Sequence, residues 1–325
     1  MRHADTHGLL YDLQHGFRSR RSCETQLLGF QADVLRCMAE GKQADAVILD
    51  FSKAFDKVGH QRLVSKMNYY GVRGRTNAWI RGFLADRKQT VILEGSRSSE
   101  VDVTSGVPQG SVLGPCLFLF YINDLPETLV CNVRLFADDT VVYLAIGQQS
   151  DANILQQDLY KLEAWGEEWG MEFHPQKCVV LNFTRKKKPL QCKYMLHGHT
   201  LESVKEAKYL GVTFQQDMSF NTHIDNITAK ASRTLGFLRR NLQINSPRLK
   251  ETAYKALVRP TLEYAPTIWD PYTQKGTKQL EKVQRRAARF TLNRHRNRSS
   301  PSDMLSELGW KSLEERRRAQ RLHVV

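Results

Sequence analysis

The pattern that most restricts the fold of this chain is a pair of adjacent aspartates enclosed by two short apolar segments. Residues 133–136 (Val-Arg-Leu-Phe) and 140–144 (Thr-Val-Val-Tyr-Leu) resemble strands, and only Ala137, Asp138 and Asp139 separate them. Two strand-like segments joined by so short a connection predict a β-hairpin. The hairpin would present both aspartates at its apex.

A second apolar strand also ends in a carboxylate, because residues 46–49 (Ala-Val-Ile-Leu) stop at Asp50. Apolar residues at helical spacing predict helices over residues 60–70 and 151–169, and an apolar stretch predicts a buried helix over 111–124. We further expect a hairpin of 90–93 with 101–103, strands at 178–183 and 209–214, and helices at 223–241, 249–258 and 278–292. The predicted fold class is α+β, with a mixed region over residues 1–215 and a smaller helical region over 216–325.

Charge is distributed unevenly along the 325 residues, whose formal net charge is +14. Residues 241–325 contribute +10 of it, whereas residues 101–150 contain one basic residue, Arg134, and five acidic ones. An acidic centre within a basic protein favours a carboxylate site that handles a polyanion through a bridging cation. A basic tail that serves only solubility remains an alternative on charge alone.

No targeting or membrane signal is visible in the sequence. No apolar run approaches the ~20 residues that cross a bilayer, and the first ten residues lack a signal-peptide core. The six cysteines contain no C-x-x-C pair, which argues against a zinc site or a disulfide framework. We therefore expect an intracellular protein of the nucleus and/or cytoplasm, neither secreted nor bound to a membrane.

Asp50, Asp138 and Asp139 together suit the chemistry of divalent cations. Mg²⁺ prefers a few carboxylate oxygens and keeps water or phosphate as its other ligands. Two such ions ~4 Å apart can stabilise the attacking and the leaving oxygen of an in-line phosphoryl displacement. For an isolated Asp-Asp dipeptide, however, simple suitability for a turn is the stronger explanation.

Three segments in compact order change that balance: residues 50–56 (Asp-Phe-Ser-Lys-Ala-Phe-Asp), 105–115 (Ser-Gly-Val-Pro-Gln-Gly-Ser-Val-Leu-Gly-Pro) and 136–140 (Phe-Ala-Asp-Asp-Thr). Together they resemble successive motifs of reverse transcriptases from non-LTR retrotransposons, the LINE elements of the jockey-like kind. Residues 14–22, 170–178 and 209–214 resemble the fingers motif, the segment of the palm lysine and the primer grip of that family. The resemblance runs from about residue 14 to residue 289. It implies a right-hand polymerase, with partial fingers and a ferredoxin-like palm over 1–215 and a basic helical thumb with a C-terminal extension over 216–325.

The resemblance also implies the residues of the site. Two Mg²⁺ ions, with Mn²⁺ as an alternative, would be held by Asp50, Asp138, Asp139 and the carbonyl of Phe51, whose side chain belongs to the core. Lys177 would contact the triphosphate and donate a proton to the leaving pyrophosphate. The expected catalytic residues are thus Asp50, Asp138, Asp139 and Lys177, and the expected nucleotide-binding residues are Phe51, Phe55, Gln109, Gly110 and Arg18.

The implied activity is RNA-directed DNA synthesis, in which a primer 3′-OH attacks a dNTP. The implied partners are therefore an RNA template, a DNA primer and dNTPs, with an endonuclease encoded upstream in the intact element. The basic helices would hold duplex backbone through Lys230, Arg233, Arg239, Arg240, Lys282, Arg285, Arg286 and Arg289.

Several alternatives stay open at this point. The fingers segment that normally precedes residue 14 is not seen, so we expect an N-terminally truncated copy. An inactive remnant that only binds nucleic acid is the main rival to the polymerase, and another palm-type nucleotidyl transferase is a weaker one. Lys177 could be a solvated turn lysine, Arg18 a surface arginine and Phe55 a core aromatic.

Overall fold

The structure is a computed structural model that describes residues 2–294 and 300–324. Its helices are α1 (Arg2–Thr6), α2 (Cys23–Ala39), α3 (His60–Tyr69), α4 (Gly74–Leu84), α5 (Leu113–Ile122), α6 (Gln149–Trp169), α7 (Asn221–Asn241), α8 (Pro247–Leu257), α9 (Arg259–Glu263), α10 (Pro266–Trp269), α11 (Gln274–Thr291), α12 (Pro301–Glu307) and α13 (Leu313–Val324), with one 3₁₀ turn at Leu125–Thr128. Its strands are β1 (Gln43–Leu49), β2 (Lys88–Gln89), β3 (Ile92–Leu93), β4 (Ser96–Arg97), β5 (Val101–Asp102), β6 (Asn132–Phe136), β7 (Asp139–Ile146), β8 (Val179–Phe183), β9 (Met195–Leu196), β10 (His199–Thr200), β11 (Glu202–Val204), β12 (Glu206–Tyr209) and β13 (Val212–Gln215).

One five-stranded sheet organises the first part of the chain, in the order β11-β8-β1-β7-β6. β1, β6, β7 and β8 pair antiparallel, and β11 joins β8 in parallel. The helices α3 to α5 connect β1 to β6, a tight turn connects β6 to β7, and α6 connects β7 to β8. This path and strand order are those of a ferredoxin-like α+β sheet, as the sequence predicted.

Burial explains why the central elements contain so few polar residues. β1 is buried along almost its whole length because it lies between β7 and β8. α5 is apolar around its circumference, and most of its side chains are buried. A helix that is hydrophobic on all sides is stable only inside a protein. The buried helix predicted over residues 111–124 is therefore confirmed.

Arg134, the single basic residue of the acidic central region, is buried and structural. Its guanidinium donates hydrogen bonds to the Asp33 carboxylate at 2.7 Å and to the Tyr143 hydroxyl at 2.8 Å. A Cβ atom on Gly29 would lie 2.4 Å from this guanidinium, so α2 needs a glycine there. The contacts of Arg134 with Asp33 and Tyr143 therefore link α2 to β6 and β7.

Two strand predictions were wrong, one in its pairing and one in its extent. Residues 90–93 do not pair with 101–103: β2 pairs with β5, and β3 pairs with β4 across Glu94 and Gly95. Both turn residues have positive φ, which is the geometry of a two-residue hairpin turn. Likewise the strand expected over residues 209–214 is interrupted, because Leu210 and Gly211 also have positive φ.

The chain forms two compact units, residues 1–210 and 211–325. The second unit contains helices α7 to α13. Its core includes Leu235, Leu238, Val283 and Ala287. Among the described residues, no helix is both long and apolar enough to cross a membrane.

Candidate active site

The three aspartates lie at one end of the sheet, on two neighbouring strands. Asp50 follows Leu49, which pairs with Thr140 in antiparallel register. Asp139, directly before Thr140, therefore lies beside Asp50 on strands that run ~5 Å apart. Asp138 occupies the turn, because Phe136 and Asp139 are the last paired residues of β6 and β7. Asp139 thus begins β7 rather than lying in the turn, where the sequence placed it.

The carboxylates interact electrostatically. Burial raises the pKa of Asp138, and the negative charge of Asp50 raises it further. Asp139 is exposed overall, yet loss of hydration around its carboxyl, with the charges of Asp138 and Asp50, raises its pKa to about 6. Like charges held close together favour the protonated form in this way. A cation bound between them would relieve the repulsion.

The arrangement provides an open rather than a closed set of metal ligands. Within residues 2–294 and 300–324, no three side chains of His, Cys, Asp and Glu form a group that could hold one metal ion. Mg²⁺ is usually held in proteins by one or two carboxylates, with water and substrate phosphate supplying the other oxygens. Carboxylates that repel one another at the end of a sheet fit that kind of site.

The segment that resembles the palm-lysine motif is attached to Asp50. The backbone N–H of His174 donates a 2.8 Å hydrogen bond to the Asp50 carbonyl, and the Asp50 N–H donates to the Cys178 Sγ at 3.4 Å. The Lys177 ammonium lies 3.4 Å from the Asp50 carboxylate, and its side chain is 62% exposed. Lys177 is therefore at the aspartate site and accessible to a ligand.

Phe51 has a core side chain and an available carbonyl. Its ring is buried and stacks on Phe173, with ring centroids 4.3 Å apart. The antiparallel bridge between these two residues uses the carbonyl of Asp50 and the N–H of Ser52. In such a bridge the N–H and C=O of the paired residue itself point to the other side. The Phe51 carbonyl is thus directed away from Phe173.

Phe55 is half-buried and packs on a core aromatic. Its ring stacks on the fully buried Phe118, with centroids 4.2 Å apart and planes 16° from parallel. The exposed Phe17 contacts Phe55 edge-on, at 6.4 Å between centroids. Packing against Phe118 fixes the ring orientation, while partial exposure leaves part of the ring open to a ligand.

The Pro-Gln-Gly turn is fixed to the end of the Asp50–Asp56 motif. The Gln109 Nε2 donates a 3.0 Å hydrogen bond to the Asp56 carboxylate, and both side chains are exposed. A Cβ atom on Gly106 would lie 2.9 Å from the Asp56 Cα, so the two backbone segments approach each other closely. Gly110 has a positive φ of 78, a backbone conformation that favours glycine. The space around it is open, because no other group of the chain would lie within 4 Å of an added Cβ atom. Asp56 is the last residue of the first motif, and the motif resemblance implied no role for it.

Arg18 is not brought to the site as an available cation. Its side chain is 6% exposed and forms an ion pair with the Asp5 carboxylate at 2.9 Å. It also donates to the Tyr11 carbonyl at 2.9 Å. A phosphate contact through Arg18 would require these bonds to break, so neither phosphate binding nor the surface-arginine alternative describes its position.

Two residues that support the site were missed in the sequence. His60 Nε2 is 2.8 Å from the Gly106 carbonyl and holds the Pro-Gln-Gly segment. Gln14, in the segment that resembles the fingers motif, contacts the backbone of Ala137 next to Asp138. Gln14 could have been found in the sequence as a polar residue within a recognised motif. His60 has no comparable sequence signal.

Basic side chains line two further depressions, one in each unit. A cleft of about 650 Å³ beside Gln109 is lined by Lys53, Arg87 and Lys88. In the second unit a groove of about 740 Å³ lies between α7 and α11, and we call it the arginine groove. It is lined by Ser232, Leu235, Gly236, Arg239, Arg286, Arg289 and Phe290. Three of the eight basic thumb residues named from the sequence thus face one groove.

Comparison with known proteins adds an independent observation. The sequence profile of the family described as reverse transcriptase (RNA-dependent DNA polymerase) matches residues 3–214. A probable RNA-directed DNA polymerase from transposon BS of Drosophila melanogaster is 30% identical over 300 residues, which are 86% of this chain and 32% of that protein. The RNA-directed DNA polymerase from the mobile element jockey of the same species is 30% identical over 272 residues, 79% of this chain and 29% of that protein.

The chain spans about a third of the length of these relatives. Among solved structures, apo telomerase from Candida tropicalis aligns with a TM-score of 0.48 and 11% identity, over 93% of this chain and 48% of that one. A likeness this distant says nothing about the site.

Proposed function

Because this chain belongs to the reverse transcriptase (RNA-dependent DNA polymerase) family, we propose that it extends a DNA primer with dNTPs on an RNA template. The observation that carries the proposal is the position of Asp50, Asp138 and Asp139 at one end of the ferredoxin-like sheet. Relatives from the elements jockey and BS support a role in a retrotransposon of the non-LTR kind. Their threefold greater length supports further domains, and we expect an endonuclease upstream of this region.

We propose that Asp50 and Asp138, with the carbonyl of Phe51, are the ligands of divalent cations and that Asp139 completes the acidic site. The raised pKa of Asp138 and Asp139 supports this assignment, since both carboxyls gain from a neighbouring positive charge. A bound Mg²⁺ would supply stabilisation of the charge that develops on phosphoryl oxygens. Asp50 and Asp138 would hold such an ion at this end of the sheet.

Lys177, Phe55 and Gln109 would orient the nucleotide. Lys177 is exposed beside Asp50, where it can contact the triphosphate and protonate the leaving pyrophosphate. The ring of Phe55, whose orientation is fixed by the stack on Phe118, would lie against the sugar. Gln109, on the turn that ends in Gly110, is held by Asp56 and could release that bond to contact the incoming nucleotide.

The test is primer extension on poly(rA)/oligo(dT) with Mg²⁺. We expect wild-type extension and a loss of at least ~100-fold in Asp138→Asn, because removal of one charged ligand weakens both metal binding and phosphoryl stabilisation. Duplex binding should stay within a few-fold of wild type or become slightly tighter. Asp303→Asn is the matched control, since this exposed residue lies in the second unit.

Two outcomes would contradict the proposal. A wild-type chain that binds the duplex but adds no nucleotide would be the non-catalytic remnant. Near-wild-type extension by Asp138→Asn would contradict the metal-ligand assignment while leaving the activity in place.

A further inference from the structure

Ala137, which directly precedes Asp138, has a backbone conformation that alanine seldom adopts. Its φ is 54, in the left-handed region that favours glycine. It is the first central residue of a two-residue turn, the position where glycine or asparagine is usual. A residue with a Cβ atom stays in such a conformation only where its surroundings enforce it. Because Asp138 is the next residue, the Ala137 backbone decides where the Asp138 carboxylate lies.

Gln14 supplies that enforcement through its side-chain amide. Its Oε1 accepts a 2.9 Å hydrogen bond from the Ala137 N–H, and its Nε2 donates to the Ala137 carbonyl at 3.4 Å. The same Oε1 accepts from the Gly16 N–H at 2.8 Å. Only an amide offers an acceptor and a donor in this spacing. The side chain therefore continues the hydrogen-bond ladder one step beyond the last strand pair.

The segment that carries Gln14 is itself docked on the hairpin. Gln14 forms a parallel bridge with Leu135, in which the His15 N–H donates to the Leu135 carbonyl at 2.8 Å. A Cβ atom on Gly16 would lie 2.4 Å from the Ala137 nitrogen, so the two backbones are in direct contact. Gln14 is 2% exposed, which excludes it from contact with substrate.

Resting on the proposed polymerase function, we propose that Gln14 is a positioning residue for nucleotidyl transfer. Its amide holds Ala137 in the left-handed turn and thereby fixes the Asp138 carboxylate relative to Asp50. Without it, the turn would relax towards a negative φ at Ala137 and Asp138 would move. Positions of reacting groups matter at this scale, since a shift of ~1 Å can cost ~100-fold in rate.

The experiment compares Gln14→Leu with Gln26→Leu. Gln26 is equally buried, and its Nε2 donates to the carbonyl of the same strand residue, Leu135, at 3.2 Å. It makes no contact with the turn among its described bonds. Both substitutions replace a buried amide with a smaller apolar side chain and remove a side-chain hydrogen bond to β6 or to the turn that follows it. Only Gln14→Leu should release Ala137.

Two readouts separate positioning from mere stability. In Gln14→Leu, kcat for primer extension should fall by ~30–100-fold with the KM for dNTP within a few-fold of wild type. Hydrogen exchange of the Ala137 amide should become faster by at least ~10-fold, while the Val142 amide in the same hairpin stays protected. Gln26→Leu should change neither. A folded Gln14→Leu with wild-type kcat, or with the same loss as Gln26→Leu, would overturn the proposal.

Ala137→Gly provides a rescue arm, because glycine adopts the left-handed conformation without being held. The double variant Gln14→Leu/Ala137→Gly should regain at least ~10-fold of the lost kcat. If Gln14→Leu alone does not fold, the double variant is compared with Ala137→Gly. Equal kcat values for these two variants support the inference. A kcat that stays much lower in the double variant contradicts it. If the wild-type chain extends no primer, the polymerase proposal fails, and exchange of the Ala137 amide still decides the role of Gln14.

Discussion

At the scale of single residues, Asp139 combines an exposed position with an acidity far from the ordinary one. Its pKa of about 6, against the usual 3.8, means that folding favours the protonated form. Stability from this group is therefore present at low pH and is lost as the pH rises from about 4 through about 6. At neutral pH without a bound cation, the ionised Asp139 carboxylate therefore destabilises the folded state.

We therefore expect Asp139→Asn to be more stable than wild type at pH 7.5, by on the order of 1 kcal/mol after allowance for solvent screening. The difference should be several-fold smaller near pH 4, where Asp139 is protonated in the folded state and only about half protonated in the unfolded state. Urea unfolding at the two pH values, without divalent cations, measures it. Asp303→Asn, in the second unit, is the control for the loss of one exposed carboxylate. A stability gain that is the same at both pH values would contradict the electrostatic cause.

Phe55 is expected to select the sugar of the incoming nucleotide. A rigid apolar ring against C2′ excludes a 2′-hydroxyl by its size and offers it no hydrogen-bond partner. Phe55→Val should raise the ratio of rNTP to dNTP incorporation by at least ~10-fold, and loss of the stack on Phe118 should cost ~2–3 kcal/mol of stability. Single-nucleotide incorporation with each substrate tests the ratio.

The matched control for that measurement is Phe173→Val, because Phe173 is a buried, stacked aromatic that packs on Phe51. It should lower stability and overall synthesis without altering the ratio. Unchanged selectivity in a folded Phe55→Val variant would assign Phe55 to the core alone.

At the scale of elements, α3 is joined to α5 and α6 by a buried lysine. Lys66 is 4% exposed, donates to the Tyr121 carbonyl at 2.6 Å and forms an ion pair with Asp124. Its ammonium lies 3.5 Å from the centre of the Trp169 ring. Burial lowers the pKa of Lys66 to about 8. These contacts hold the helices that connect β1 to β6 against the helix that follows β7.

Lys66→Met should lower the free energy of unfolding by ~2–4 kcal/mol at pH 7, because it leaves the Asp124 carboxylate without its cation. Lys66→Met/Asp124→Asn should recover at least half of that loss, since the asparagine can still accept the Trp165 Nε1–H hydrogen bond. Urea unfolding of the two variants measures the coupling. Equal losses in the single and double variants would show that packing, not charge, accounts for the effect.

The arginine groove between α7 and α11 is the element-scale candidate for binding the nucleic-acid backbone. Arg239, Arg286 and Arg289 line the arginine groove. Each phosphate that a basic side chain neutralises releases about 0.9 counterion from the duplex, so binding weakens as the salt concentration rises. Arg286→Gln/Arg289→Gln should reduce the slope of log K against log salt by ~2 for an RNA–DNA duplex.

The control for the groove carries the same charge change on the same helices. Arg233 and Lys282 lie on α7 and α11 but do not line the groove, so Arg233→Gln/Lys282→Gln should change the slope by less than half as much. Fluorescence anisotropy over a range of salt concentrations measures both. Equal slopes for the two double variants would indicate a diffuse basic surface rather than a groove.

At the scale of the whole molecule, the two units differ in what they can bind. The acidic site belongs to the first unit, and the arginine groove belongs to the second. A ligand stabilises the folded part that binds it. Chains with more than one compact unit can unfold in separable steps.

We expect thermal unfolding to resolve into two transitions, of which 10 mM Mg²⁺ raises one by ~2–4 °C. Leu280→Ala, a substitution in the core of the second unit, should lower the other transition. Asp138→Asn should remove the Mg²⁺ effect. Differential scanning calorimetry of the three proteins tests this, and a Mg²⁺-induced shift of the transition that Leu280→Ala lowers would contradict a metal site in the first unit.

Elements with a local signal could be predicted from the sequence alone. The hairpin of β6 and β7, the strand before Asp50, and the helices α3, α5, α6, α7, α8 and α11 follow from apolar periodicity, which depends only on neighbouring residues. Motif order identified the family, and the motifs placed the aspartates at strand ends. Turns with positive φ were not predicted. The turn at Glu94 changed the strand pairing, and the turn at Leu210 interrupted the predicted strand.

Which polar residues support the site depends on the packing of distant segments and is visible only in the folded chain. Gln14 and Asp138 are far apart in the chain, and no periodicity links a glutamine to the backbone of a distant turn. Arg18 and Arg134 read as cations in the sequence, yet each is buried against a carboxylate brought to it by folding. Periodicity reports whether a residue faces the core, whereas hydrogen-bond partners depend on how distant segments pack together. The positions of Asp50 and Asp138 could therefore be predicted, whereas the strand position of Asp139 and the contacts that hold the site in place could not.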